Sequence, residues 1–408
     1  MTTTYASQHH RSPHGTRQTA EGTRAMGVLT AMPFAPTPRS PLGRYRLLSP
    51  TSSVGVSPLC LGTMHFGDSW KGVMECCDQR TAEDVLDFFF EQGGNFIDTS
   101  NNYQWEGSET WIGDWMSKRG VREQMVIATK YSTNYMGRVP QSTHIMANFT
   151  GNGSKNLVTS VKASLHKLRT DYIDLLYVHW WDYSTSIPEL MQSLNNLVVS
   201  GKVLYLGVSN TPAWAVSKAN EYARNHGLRQ FSVYQGCWSA ASRDFEREII
   251  PMAQAEGMAL VPWGALGGGA FKTEEQRQSQ SAPKVEISEA HIQISRALER
   301  ISKRKGTIIT SVALAYVMHK CPYVFPVVGG QTVHHLRQSI EALSLELTDE
   351  ELREIEAAAP FDMGFPHNLL WGRGGLPAQP NDLWLLKMGG HFDFVPLPKS
   401  ITPAQVGE

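Results

Sequence analysis

The 408-residue chain lacks any long apolar run: stretches such as Ile173 to Val178 fall far short of the roughly 20 residues a spanning helix needs, so no transmembrane segment is expected. It also lacks an excess of charge of either sign, with 37 Lys and Arg against 38 Asp and Glu. Without a net basic field nothing holds a polyanion, which excludes nucleic acid and an anionic membrane surface and leaves a small molecule as the partner. Cysteine is scarce, five residues scattered without C-x-x-C spacing. That excludes a disulfide framework and a zinc site, and points to free thiols in a reducing, cytoplasmic setting.

What is present is a globular composition, 41% hydrophobic and 18% charged, long enough to bury a sizeable core. Residues 1–40 are the exception: Ser, Thr, Pro, His, Arg and Gly with a single acid, Glu21, read as a disordered tail ahead of one domain, 41–408. Tyr45 to Leu48 and Val54 to Val56 flank a Ser/Thr/Pro turn and read as a β-hairpin. From there short aliphatic runs alternate with stretches of helical periodicity. Leu59 to Gly62, Asn95 to Asp98, Met125 to Thr129, Ile173 to Val178, Val203 to Val208, Phe231 to Tyr234, Met258 to Pro262 and Val324 to Val328 make eight strands. Eight strands alternating with helices predict a (β/α)8 TIM barrel, with a doubly wound sheet as the alternative. Thr81, Thr211 ahead of Pro212, and Thr348 ahead of three acids mark helix starts, and Phe245 to Glu256 reads as one helix. Gly264 to Ser288 has neither period and reads as a long loop. The Pro- and Gly-containing stretch 360–408 carries Phe361, Phe365, Trp371, Trp384, Phe392 and Phe394, too aromatic for a free tail, and is expected to pack over the barrel mouth.

A barrel builds its site from the loops after the strands, so polar residues that end apolar runs come first. Asp98, Lys130 and His179 each end such a run, and Tyr103 follows Asp98 by five residues. These groups suit proton transfer to a carbonyl oxygen. A phenol is a weak acid at neutral pH, and an ammonium about 4 Å away favours the phenolate by roughly 4 kcal/mol, before desolvation, at an effective dielectric near 20. Lys130 would thus lower the Tyr103 pKa, Asp98 would keep the buried ammonium charged, and His179 would donate to and orient the carbonyl.

Ile97 to Tyr103, Ile127 to Lys130 and Tyr177 to Asp182 resemble the signatures of the aldo-keto reductase superfamily, and most closely its fungal aryl-alcohol dehydrogenase and norsolorinic acid reductase branch. The resemblance runs from about Leu42 into the stretch Leu385 to Phe392. It implies a metal-free barrel using NADPH, with Tyr103 as proton donor, Lys130, Asp98 and His179 in the roles above, and Asp98 also touching the cofactor. It further implies that Ser209, Asn210 and Gln235 hold the carboxamide and that Trp263 stacks on the nicotinamide. Gly264, Ala265, Leu266, Gly267 and Lys272 match the loop folded over the pyrophosphate. Gly330, Gln331, Arg337 and Gln338 match the site for the adenosine 2'-phosphate. Gln331 stands where relatives carry a cation, and Ser339 where they carry Asn, which leaves NADH as the alternative cofactor unless Arg337, His334 or His335 substitutes.

Trp180, Trp181, Trp371 and Trp384, with Trp105 and Met64, suggest a wide apolar substrate pocket for flat molecules. The expected activity is hydride transfer between nicotinamide and an aromatic or polycyclic aldehyde, ketone or alcohol in fungal secondary metabolism, by a monomer or weak homo-oligomer. The alternative is an NADP(H)-binding sensor or regulatory subunit on the same barrel. Tyr316 to Lys320 has the Y-x-x-x-K spacing of another reductase class, but no G-x-G-x-x-G turn accompanies it, and Tyr316 is expected on an outer helix face. Asn148 and Asn152 match glycosylation acceptors without a secretory signal, in a loop that could shape the substrate pocket.

Overall fold

The computed structural model describes residues 34–279, 287–329, 332–371 and 382–403. The disordered tail expected over 1–40 lies outside them up to residue 33, as do Gly330 and Gln331. The fold is that of the unit Pro38–Glu408, and Ser40 already belongs to it: its hydroxyl donates to the Gln92 carbonyl and caps the turn Pro41–Gly43.

A hairpin, β1 (Arg46–Ser49) and β2 (Ser52–Val56), precedes eight parallel strands. These are β3 (Cys60–Gly62), β4 (Phe96–Asp98), β5 (Val126–Tyr131), β6 (Ile173–Val178), β7 (Val203–Ser209), β8 (Phe231–Cys237), β9 (Ala259–Trp263) and β10 (Val327–Gly329). Each pairs with the next in sequence from β3 to β9, and β10 pairs back onto β3. One bridge between Leu260 and Val324, with Phe325 N donating to the Leu260 carbonyl at 2.9 Å, joins the remaining edges and completes the ring. The eight-stranded (β/α)8 architecture is the one the alternation predicts.

Two apolar layers result from strands that are buried on both faces. One fills the barrel with Cys60, Phe96, Val126, Ala128, Leu175, Tyr177, Val233 and Val261, and the hairpin's Leu48 and Val56 plug its lower end. The other lies between strands and helices. Side chains two apart share a face, so the inward row of each strand continues past its apolar residues: Phe96 leads to Asp98, Ala128 to Lys130, Tyr177 to His179, and Val233 to Gln235. The polar set at the mouth is thus the top layer of the barrel's own packing.

The helices between the strands are α1 (Gln79–Glu91), α2 (Gly107–Arg119), α3 (Ser154–Lys167), α4 (Ile187–Val199), α5 (Ala213–Asn225) and α6 (Ile249–Ala255). Their starts correct three expectations. Asp78, not Thr81, caps α1, accepting from the Thr81 amide at 2.8 Å. Pro212 occupies the cap position of α5, extended at ψ 140°, and not its first turn. The helix expected from Phe245 divides into a 3-10 turn, Asp244–Glu246, and α6, because Pro251 lacks an N–H and is tolerated only in a first turn. Within the loop after β9 a short helix, α7 (Glu274–Gln278), carries a Thr273/Gln276 capping box, a local signal the periodicity does not reveal.

α8 (Glu289–Lys305), α9 (Ile309–Lys320), α10 (Val333–Glu341) and α11 (Asp349–Ala358) complete the wall, the last with a Thr348/Glu351 capping box. α9 packs against α8 and α10, so Tyr316 is fully buried, its hydroxyl against Glu246 and Glu356, and not on an outer face. The C-terminal stretch begins at the mouth, where the Phe361 ring lies under Arg247 and Arg243 in the loop after β8. Its far end departs from the expected cover. Ser400 donates to the His319 carbonyl at the close of α9, and Ile401 and Pro403 line a small cleft with Arg46 of the hairpin, on the opposite side of the barrel.

Candidate active site

Lys130 and Asp98 form a buried ion pair at the carboxyl end of β5 and β4, Nζ to Oδ1 2.5 Å. The same Nζ donates to the Thr99 carbonyl at 2.8 Å and to the Tyr103 hydroxyl at 3.2 Å. Gln235 reaches across the barrel from β8 and donates Nε2 to the second Asp98 oxygen at 2.8 Å. Both carboxylate oxygens are therefore committed, which holds the pair in place. The His179 ring meets Tyr103 edge-on at 6.1 Å. The four residues marked by sequence come together at one point.

Burial would push the Lys130 ammonium down, but the charge of Asp98 and the neighbouring phenol outweigh it and hold the amine above its ordinary value. At Tyr103 the lowering expected from Lys130 is present but is outweighed. Burial lifts its pKa, Asp98 adds to that, and Lys130 only offsets part of the rise. The phenol thus keeps its proton at neutral pH, the state a proton donor needs. Burial first, and the Lys130 charge second, bring His179 down to about 3. It is a neutral imidazole throughout the working range. Reduction rates are therefore expected to show no imidazole inflection between about pH 5 and 9, a profile that a kcat/KM titration reads directly. The same shift removes folding stability as pH falls from about 6.5 toward about 3, because there only the unfolded chain takes up that proton.

Tyr103 is positioned by an unusual turn. Gln104, Trp105 and Glu106 follow it with φ of 53°, 47° and 78°, three left-handed residues without a glycine, each costing about 1 to 2 kcal/mol. The fully buried Gln104 offsets this by clasping the loop after β3: Nε2 donates to the Met64 carbonyl at 2.9 Å and Oε1 accepts from the Trp70 amide at 3.0 Å. Gly67 leaves room for it, since a Cβ there would lie 2.3 Å from Gln104. The clasp sets Trp70 edge-on to Tyr103 at 6.3 Å and to Trp105 at 5.7 Å. Sequence reading missed Trp70, because it lies inside the loop after β3 and ends no apolar run.

The tryptophans named from sequence separate. Trp180 lies beside the site and donates Nε1 to Thr133 Oγ1 at 2.9 Å. Trp181 packs against the helical layer and Tyr183. Trp371 stacks on His367, and Trp384 donates to the Leu369 carbonyl at 2.8 Å, so neither contacts the four polar residues among the described interactions. Met64 is exposed. Asn152 is buried and bonded to Ser132 and Trp180, which makes it a brace and not a glycan acceptor. A cavity of about 1300 Å³ lies on the outer wall beside Trp111 and Lys167 and includes none of the four residues.

Around the mouth, Ser209 is buried and Asn210, at φ 44°, donates to its hydroxyl and to the His179 carbonyl. Trp263 ends β9 at 42% exposure, a free aromatic face at the rim. Gly264 and Gly267 are left-handed, and a Cβ on Gly267 would strike the Phe271 ring at 2.6 Å. Ala265 is buried and Leu266 packs against the core, which anchors this loop. Lys272 Nζ is buried with no hydrogen-bond partner among the described residues. An ammonium out of water without a counter-charge is costly, so the loop fits an anionic group such as a pyrophosphate. Farther round, Arg337 is exposed with its guanidinium 4.8 Å over the Phe88 ring, Gln338 is partly buried, and Ser339 turns back to the His335 carbonyl.

A (β/α)8 barrel carrying this set of groups at its carboxyl end is a barrel oxidoreductase. Residues 58–360 match the aldo/keto reductase family model, and the chain belongs to the aldo/keto reductase family, which generally uses NADP(H). It is 54% identical over 371 residues to norsolorinic acid reductase B of Dothistroma septosporum, covering 88% of this chain and 94% of that one. It is 53% identical over 378 residues to an aryl-alcohol dehydrogenase of Pestalotiopsis microspora, covering 92% and 97%. Aldo-keto reductase ausK of Emericella nidulans is 47% identical over 360 residues, covering 85% and 89%. Among the described residues no helix is long and apolar enough to cross a membrane.

Proposed function

We propose that the chain is an NADPH-dependent carbonyl reductase and aryl-alcohol dehydrogenase acting on an aromatic or polycyclic aldehyde or ketone in fungal secondary metabolism. The observation that carries this reading is the buried Asp98–Lys130 pair set against a protonated Tyr103 and a neutral His179. When bound, the nicotinamide supplies the hydride. Tyr103 gives its proton to the oxygen that becomes the alcohol, and Lys130, held charged by Asp98, stabilises the phenolate left behind. His179 donates to the same oxygen and fixes the carbonyl's approach. Trp70, Trp105 and Trp180 supply flat apolar walls, which favours aromatic substrates.

Ser209, Asn210 and Gln235 would hold the carboxamide, Trp263 the nicotinamide face, and Lys272 the pyrophosphate. Arg337, exposed and without an ion pair among the described residues, would take the 2'-phosphate in place of the cation missing at Gln331. Five free thiols accord with a reducing, cytoplasmic setting, and the enzyme would act as a monomer or weak homo-oligomer. The test is fluorescence titration with NADPH and NADH, followed by NADPH oxidation against aromatic aldehydes and polycyclic ketones. Turnover with NADPH preferred is the expected result. Binding without turnover across the panel would favour a sensor. Lys272→Met should weaken NADPH binding by roughly 10- to 100-fold, the loss of one charge-assisted contact to a phosphate. An unchanged dissociation constant would remove Lys272 from the cofactor site.

A further inference from the structure

His179 can donate to a carbonyl only if its proton sits on the nitrogen facing the substrate, and the protons around the ring can be counted. Nδ1 has two hydroxyl neighbours, Ser100 Oγ and Thr133 Oγ1, each at 3.3 Å. Nε2 makes no hydrogen bond among the described residues, and is the nitrogen left for a ligand. The Trp180 indole N–H, which can only donate, points at Thr133 Oγ1 at 2.9 Å. Thr133 therefore accepts there, and its own single proton is free to point elsewhere. Ser100 has one proton as well, and its shorter contact is to Asn102 Oδ1 at 2.8 Å.

Two assignments are open. With Nδ1 bare, every proton finds an acceptor: the indole's on Thr133, Thr133's on Nδ1, and Ser100's on Asn102. With Nδ1 protonated, the ring would donate to Ser100. The Thr133 proton would then have no acceptor among the described residues, and Nε2 would be bare toward the substrate. The first assignment satisfies more groups, and at these part-buried positions a hydroxyl left without an acceptor is penalised.

We infer that Thr133, oriented by the Trp180 indole, is a positioning residue that sets the His179 tautomer and keeps the proton on Nε2, facing the carbonyl of the substrate. This rests on the reductase reading only for its consequence, since the tautomer is a property of the resting protein. The low affinity of the ring for a second proton fits the same picture, because a neutral ring must choose between its two nitrogens.

The experiment is ring nitrogen NMR on the full chain labelled at histidine, with His179 assigned by loss of its signals in His179→Gln. The wild-type protein should show an unprotonated Nδ1 and a protonated Nε2. Thr133→Val keeps the shape and removes the hydroxyl, and should shift the two signals toward a mixture or an inversion. Thr133→Ser should restore them. Trp180→Phe leaves Thr133 free to accept or donate and should give a partial shift, which guards against a Thr133→Val protein that folds poorly. Carbonyl reduction by Thr133→Val should fall by on the order of tenfold in kcat while NADPH affinity stays at the wild-type value. A protonated Nδ1 in the wild type, or unchanged ring signals in both Thr133→Val and Trp180→Phe, overturns the assignment. If the ring signals move as expected while no carbonyl is turned over by the wild type, the tautomer relay stands and the reductase reading fails. If Tyr103 proves essential but the ring signals do not respond, the reverse holds.

Discussion

Tyr103→Phe is expected to lower kcat/KM for carbonyl reduction by about a thousandfold or more, with NADPH affinity unchanged. The substitution removes one oxygen and keeps the ring, so the edge-on contacts to Trp70 and His179 survive. The Lys130 ammonium, 4.8 Å from the ring centre, keeps Asp98 and the Thr99 carbonyl as partners, and no buried charge is stranded. What disappears is the proton that must reach the carbonyl oxygen as hydride arrives at carbon. His179, kept neutral by burial and the Lys130 charge, carries no second proton to give and cannot replace it. The measurement is NADPH oxidation with an aromatic aldehyde beside a fluorescence titration of the cofactor. Retention of more than a tenth of the wild-type rate would show that another group delivers the proton.

How far the site could be read from the sequence follows from which of its features are local. A strand that alternates faces announces its own top residue, so Asp98, Lys130 and His179 were visible at the ends of Phe96 to Asp98, Val126 to Lys130 and Leu175 to His179. The same period places Gln235, although its amide proved to hold Asp98 from the far side of the barrel, a contact 137 residues apart in sequence that no local pattern encodes. The Tyr103 pKa was legible only in part for a related reason: burial lifts it, and Lys130, as expected, lowers it by less. A charge at 4 Å is easy to foresee from residue types, whereas the burial that outweighs it depends on what several loops do together. The turn after Tyr103 hid because left-handed backbone is normally signalled by glycine, and Gln104, Trp105 and Glu106 adopt it through tertiary contacts instead. The path of the C-terminal stretch was hidden for another reason: aromatic content says that a segment packs, and it does not say that its far end runs on to the close of α9 at Ser400.

The second large effect concerns stability. Lys130→Met should destabilise the fold by about 3 to 5 kcal/mol, because it strands the Asp98 carboxylate in a site where that residue is 3% exposed. Gln235 would remain as a neutral donor to one oxygen, too little to replace an ammonium at 2.5 Å. An unpaired buried carboxylate binds a proton more readily than the same group in the unfolded chain, so its folded pKa is raised. Protons then stabilise the folded form, and the deficit should shrink as pH is lowered from neutral into the mildly acidic range. Urea denaturation at the two conditions reads this difference. The double variant Lys130→Met with Asp98→Asn removes the charge as well as its partner and should recover most of the lost stability while staying as inactive as the single variant, since its Tyr103 still has no cation beside the phenolate. Stability and turnover would thus separate within one pair of residues. If the double variant is as unstable as Lys130→Met, the cost lies in packing around the lysine stem and not in the stranded carboxylate.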